Sequence, residues 1–314
     1  MSDVSVDVAL HVRAEHAEGP IWDAASARLW WVDITGERVH CFDPATGRDT
    51  SWATPGQPGG VALDARGEPV VATPGGLAVL DRDSGVTSLR VPIEADRPEN
   101  RANDVKVDTH GRAWVGTMAY DKQAGHAGLY RIDSGAVTCV VDGLTISNGP
   151  AIDEANGRLY LADTALFIVD LFDLDADTGA LTGRRRCLDF TDAQVWPDGM
   201  TIDHDGMLWV ALGRAGAVHR YRPDGVLDAV VEVPTSNPTS LTFGGPEGAD
   251  LYITTSWTDV PPDQRAEQPL AGAILRVRPG VTGAASPRLS SLPTGPAPAP
   301  TPGNRPPPEK EKIP

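Results

Sequence analysis

A unit of two short apolar runs joined by a turn recurs six times along this chain, and it limits the possible folds more than any other feature. The copies run from Ile21-Trp22-Asp23 to Leu29-Trp30-Trp31-Val32, from Val61-Ala62-Leu63-Asp64 to Val70-Val71-Ala72, and from Val105-Lys106-Val107-Asp108 to Ala113-Trp114-Val115. They continue from Ala151-Ile152-Asp153 to Leu159-Tyr160-Leu161, from Thr201-Ile202-Asp203 to Leu208-Trp209-Val210, and from Leu241-Thr242-Phe243 to Leu251-Tyr252-Ile253. Glu18, Gly59, Asn103, Asn148, Asp198 and Pro238 stand just ahead of these runs, at spacings of 41, 44, 45, 50 and 40 residues. A repeat of that length is a single supersecondary unit that buries its apolar face only against the next copy. Two further strand-like runs follow in each unit, as in Val39-His40-Cys41-Phe42 ahead of Asp43-Pro44-Ala45-Thr46-Gly47. Helical periodicity is nearly absent, and 33 Gly and 28 Pro punctuate the chain. The pattern therefore predicts an all-β fold, a six-bladed β-propeller with four-stranded antiparallel blades. One domain spans residues 1–283, and a strand within residues 4–13 completes the last blade. A parallel β-helix would repeat at a shorter interval, and a sandwich would not need six copies.

From residue 284 the pattern dissolves into Pro296-Ala297-Pro298-Ala299-Pro300-Thr301-Pro302 and a Pro-Glu-Lys end. Such a composition buries little apolar surface, so residues 284–314 read as a solvated, extended tail.

The innermost strands of a propeller line its central channel, so residues at the same point in successive units gather at one mouth. Glu18, Asn103, Asn148 and Asp198 hold that point in four units. A lone Asp or Asn ahead of a strand is usually a turn former. Recurrence at the repeat period favours a shared site instead. Two carboxylates and two carboxamides, with no His or Cys among them, form a hard-oxygen set suited to one divalent cation, Ca2+, Mg2+, Mn2+ or Zn2+.

Lys and Arg number 27 against 43 Asp and Glu, a formal charge of −16. That charge repels phosphate backbones and anionic lipid, which argues against nucleic acid and membranes as partners and for a neutral or cationic small molecule. No apolar run reaches the roughly 20 residues needed to cross a bilayer, and residues 1–13 lack the basic start and apolar block of a secretion signal. The chain reads as cytoplasmic, with a monomer and a dimer both open. Cys41, Cys139 and Cys187 are odd in number and far apart, as reduced thiols would be. Nucleophile-elbow, zinc-protease, phosphate-loop and dinucleotide signatures are absent, and the seven histidines are scattered over strands and turns. Trp30, Trp31, Trp114 and Trp209 occupy strand positions and read as blade core.

Five motifs occur in order: Glu18-Gly19-Pro20-Ile21-Trp22, Asn100-Arg101-Ala102-Asn103-Asp104, Gly116-Thr117-Met118, Ile146-Ser147-Asn148-Gly149 and Pro197-Asp198-Gly199-Met200. With Gln268-Pro269-Leu270-Ala271-Gly272, they make the chain resemble the gluconolactonase and regucalcin (SMP-30) family over about residues 15–283. The resemblance implies a sugar lactonase that opens an aldonolactone to its aldonic acid. It implies that Glu18, Asn148 and Asp198 hold the cation, that Arg101 and Asn103 bind sugar hydroxyls, and that Asp121 stands where some members carry a substrate-contacting glutamate. On this reading Asp198 also takes a proton from the attacking water. Tyr120 and Val105 depart from the regucalcin pattern, and the segment around residues 138–145 has no lysine. Hydrolysis of another ester or phosphoester, calcium binding without turnover, and a scaffold role through the rim or tail are the alternatives.

Overall fold

The computed structural model describes residues 5–290 and 292–294. It contains six four-stranded antiparallel sheets, five of which take their strands from consecutive stretches of chain. The first strands of the sheets are Ala17–Asp23, Gly60–Leu63, Asn100–Val107, Ser147–Asp153, Trp196–Ile202 and Pro238–Gly244. Each touches the first strand of both neighbouring sheets, and Ala17–Asp23 meets Pro238–Gly244, so the six form a closed ring around a channel. This is the six-bladed propeller that the repeat predicts.

Closure joins the two ends of the chain. The sixth sheet runs in the order Val6–Leu10, Ile274–Val277, Asp250–Thr255, Pro238–Gly244, so a strand from the N-terminal end forms the outer edge of the last blade. Its register sets Val6 against Val277 and Val8 against Leu275. A propeller sealed this way exposes no innermost edge to foreign strands.

The core lies between blades. Val70, Leu77, Val105, Val115 and Tyr130 pack the second blade on the third, and Trp209, Val218, Phe243 and Ile253 pack the fifth on the sixth. Trp31, Trp114 and Trp209 are fully buried, as their strand positions imply. The three cysteines are free.

The hairpin leaving the innermost strand is built on an aspartate in five of the six blades, the sixth turning through Gly244 and Gly245. Asp64 Oδ1 accepts from the Arg66 and Glu68 amides, Asp108 Oδ1 from the His110 and Arg112 amides, and Asp203 Oδ1 from the Asp205 and Met207 amides. An aspartate that satisfies its own turn this way fixes the hairpin without a tertiary partner. In two blades the second oxygen reaches into the core. Asp108 Oδ2 accepts from Trp114 Nε1 at 2.9 Å and Arg112 Nε at 2.6 Å, and Asp203 Oδ2 from Trp209 Nε1 and Arg220 Nε, both at 2.8 Å.

Residues 284–290, assigned to the tail by composition, instead cross the hairpin end of the channel. The Leu289 amide donates to Leu63 O at 2.8 Å and the Ser290 amide to Gly111 O at 2.9 Å, while Arg288 Nη2 pairs with Asp23 Oδ1 at 2.5 Å. Leu289 is only 2% exposed. Residues 284–287 help line an apolar cavity of about 170 Å³ inside the channel, together with Val61, Lys106, Ile152 and Met200. One leucine and a few backbone hydrogen bonds suffice to dock a segment whose composition carries no strand pattern. Residues 291 and 295–314 lie outside the described residues.

Candidate active site

At the channel end opposite the hairpins, the innermost strands share an irregularity. Register shifts fall between Glu18 and Ile21, Ala102 and Asp104, Asn148 and Ala151, Pro197 and Met200, and Pro238 and Ser240. A bulge breaks the alternation of side chains and re-aims them, and five bulges at one height turn a ring of strands into a ring of inward-pointing groups. The turned backbone needs residues that tolerate it. Gly19 has φ +51° and Gly149 φ +80°. A Cβ at Gly19 would lie 2.8 Å from Gly60 Cα in the neighbouring blade.

Glu18 is buried, and its Oε2 accepts from the Gly19 amide at 2.6 Å. The Glu18 and Asp198 carboxyls lie close enough to perturb each other's charge. Asn103 Nδ2 donates to Ser147 O at 3.0 Å and to Asn148 Oδ1 at 2.5 Å. Asn148 Nδ2 donates to Thr164 Oγ1 at 2.7 Å, and Thr164 Oγ1 donates to Pro197 O at 2.7 Å, beside Asp198. A relay of side chains thus runs through three blades and fixes which face of Asn148 is oxygen. A carbonyl oxygen has two lone pairs, so Asn148 Oδ1 retains one after accepting from Asn103.

Burial and crowding set the charge at this mouth. Asp198 is held well above the usual carboxylate range by burial first and then by Glu18, Asp104 and Asp259. Burial also raises Glu18, with His16 and the Gly19 amide opposing. Asp104 is pushed up to about 7 by burial, with Lys106 opposing and Glu18 adding to it. Its Oδ2 is buried without a hydrogen-bond partner. Arg101 is buried, donates from Nη1 to Ala102 O at 2.8 Å, and is pushed down to about 10 by desolvation against the opposing influence of Tyr120, Glu18 and Asp198. Close-set carboxylates, each disfavoured as an anion, together with an orphaned carboxylate oxygen and oriented amide oxygens, suit a small cation with oxygen ligands. The donor chemistry fits one divalent ion held by Glu18, Asn148 and Asp198.

The residues read from sequence do not all meet. Glu18, Asn103, Asn148, Asp198 and Arg101 gather at the mouth. Asp121 is exposed on the loop after Ala113–Ala119, where its Oδ1 accepts from the Gln123 amide at 3.0 Å. His16 and Asp259 were missed. His16 Nδ1 lies 2.9 Å from Asp259 Oδ2, and the imidazole interacts electrostatically with Glu18 and Arg101. The available signal was the two-residue spacing of His16 and Glu18, which places both on one face of an extended strand. A second acidic group, Asp108, His110 and Glu154, comes together at the hairpin end. Its oxygens already serve the turn: Asp108 accepts from Arg112 and Trp114, and Glu154 from the Thr109 amide.

The profile of the SMP-30/gluconolactonase/LRE-like region matches residues 16–257. The chain belongs to this family. Among its relatives, pentonolactonase XacC of Haloferax volcanii is 34% identical over 279 residues, covering 85% of this chain and 91% of that one. Regucalcin of Xenopus laevis is 32% identical over 287 residues, covering 88% and 95%. The crystal structure of regucalcin from Agrobacterium tumefaciens, described as a calcium-binding protein, superposes with a TM-score of 0.86 at 30% identity, covering 91% of this chain and 97% of that one. Family membership and the propeller thus agree with the motifs and the repeat.

Proposed function

We propose that this chain is a metal-dependent hydrolase that opens a sugar lactone, of the aldonolactone type, to the aldonic acid. The observation that carries the reading is the close-set pair of the buried Glu18 and the half-buried Asp198, beside Asn148 and Arg101 at one mouth of the channel. The naming of relatives as lactonases supports it.

A cation held by Glu18, Asn148 and Asp198 supplies a Lewis acid for the lactone carbonyl. The residues of the chain do the rest. Asp198 removes a proton from the attacking water. Arg101 and Asn103 orient the ring through its hydroxyls. The Asn103 to Thr164 relay holds these groups still during the reaction, which is where positioning becomes rate. A neutral lactone enters and an aldonate leaves, and a surface charge of −16 repels the product. A cytoplasmic location suits such an enzyme.

The test is metal-stripped protein reconstituted separately with Ca2+, Zn2+, Mg2+ and Mn2+ and assayed for acid release from aldonolactones, aryl esters and organophosphates. Opening of an aldonolactone that depends on added metal is the expected result. Tight metal binding with no turnover on any substrate would overturn the lactonase reading in favour of a cation-binding propeller.

A further inference from the structure

His16 stands immediately ahead of the innermost strand Ala17–Asp23, two residues from Glu18, and bridges Ser256. Ala17 pairs with Asp33 and Glu18 with Val32, and the Ile34 amide donates to the His16 carbonyl, so the extended pairing runs on to His16 and residues two apart project to one side. Two residues of extended chain place His16 about 7 Å from Glu18 along the channel, toward the opening. Its backbone is pinned: the amide donates to Asp33 Oδ1 and the carbonyl accepts from the Ile34 amide, both at 2.9 Å. The ring is pinned as well. Nδ1 sits 2.9 Å from Asp259 Oδ2 and 3.2 Å from Ser256 Oγ, and the Asp259 amide donates to Ser256 Oγ at 3.2 Å.

The Asp259 carboxylate engages Nδ1, which leaves Nε2 for an outside partner. Among the described residues no hydrogen bond is formed at Nε2, and the side chain is 23% exposed. Residues brought together from positions 16, 256 and 259 thus hold the imidazole by one nitrogen and leave the other unpaired. A lactone engaged by its carbonyl near Glu18 and Asp198 would extend about as far up the mouth as this nitrogen.

We propose that His16 is a specificity-determining residue of the site, whose Nε2 forms a hydrogen bond with a substrate hydroxyl remote from the lactone carbonyl, with Asp259 and Ser256 positioning the ring. The inference rests on the lactonase reading and adds to it the substrate class: lactones hydroxylated away from the reacting bond. A site that pairs with a hydroxyl discriminates strongly against analogues lacking it, because its own polar group is then left without a partner.

The experiment compares wild type, His16→Phe and His16→Gln on one aldonolactone and its monodeoxy analogues, with metal affinity from calorimetry and Tm as controls. Phe keeps a ring of similar size without the nitrogen. His16→Phe should lose roughly 10 to 100-fold in kcat/KM on the parent lactone, mostly through KM, with metal affinity unchanged. The loss should shrink to within about twofold on the one analogue that lacks the hydroxyl His16 reads. His16→Gln should recover part of the parent rate. Equal losses on every lactone would make His16 a staple between the first and sixth blades, and no loss on any would make it a bystander; either overturns the inference while the lactonase reading stands. A wild type that opens none of the lactones would remove both together.

Discussion

Asn103 and Asn148, 45 residues apart in the chain, meet side chain to side chain at the mouth of the channel, with Asn103 Nδ2 donating to Asn148 Oδ1 at 2.5 Å. Each stands beside a bulge in its own blade, so one hydrogen bond ties the group assigned to sugar recognition to the group assigned to the cation.

That tie continues to Thr164, which makes Thr164 a test of how strictly Asn148 must be oriented. Thr164→Val removes the acceptor for Asn148 Nδ2 and frees the amide to rotate. Outer partners of metal ligands are worth about 10 to 100-fold in affinity. Calorimetric titration should show metal binding weakened by about that much, with Tm of the metal-free protein little changed, while Thr164→Ser, which keeps the hydroxyl, should bind nearly as wild type.

Substitution should separate the two roles assigned to Asp198. Asn at this position keeps an oxygen for the cation but cannot serve as a base, so kcat should fall by roughly 10² to 10⁴-fold with measurable metal binding retained. Ala should lose much of the metal affinity as well. Glu18→Gln acts mainly on affinity, so excess metal should restore part of its rate and little of the Asp198→Asn rate. Rates measured across metal concentration decide the matter. Full rescue of Asp198→Asn by saturating metal would leave it a ligand only and direct the search for a base to Asp104 or Asp121.

The buried carboxyls make stability depend on pH when metal is absent. Asp104 holds its proton up to about pH 7 in the fold, through burial first and then Glu18, against 3.8 for an ordinary aspartate. The folded state therefore binds more protons than the unfolded chain between those values, and the stabilisation is lost as pH rises through about 7. Metal-stripped protein should show Tm falling across that interval. Saturating divalent cation should flatten or reverse the trend, and a metal-stripped Tm that rises over the same range would contradict the charge arrangement described above.

At the other end of the channel, Leu289→Ala should destabilise the protein by about 2 to 3 kcal/mol, the lower part of the range for deleting a buried leucine, because the site borders solvent and can partly relax. Denaturant unfolding measures it. A chain ending at Gly283 should lose more than this, since it also forfeits the Arg288 pairing with Asp23 and the backbone bonds to Leu63 and Gly111.

The propeller could be read from the chain because its period is set by local pattern: an apolar run, a turn and another apolar run, six times over, with an Asp leading the turn in five of them. Glu18, Asn148 and Asp198 could be read for the same reason, being marked by their place in the repeat. His16 was harder to single out, since its partner lies at 259, 243 residues away, and its two-residue spacing from Glu18 is the one local mark that sets it apart from the other histidines. Thr164 was equally hidden, because it follows the second strand of its unit rather than leading the first. Residues 284–290 were misread because composition weighs every residue alike, whereas docking here depends on Leu289 and Arg288 with a few backbone groups. Asp121 was taken from resemblance alone, and its own surroundings show a loop residue satisfied by the Gln123 amide.

Pairing Val6–Leu10 with Ile274–Val277 has a consequence for biosynthesis. At a ribosomal rate of about 5 to 20 residues per second, the early strand emerges on the order of 10 to 50 s before its partner. Until then the ring is open, and Glu18 and Asp198, which belong to blades on either side of the gap, have no fixed distance between them. The carboxylates assigned to the cation therefore cannot form a tight pocket on the nascent chain, and metal capture by them would follow release of the sixth blade from the exit tunnel.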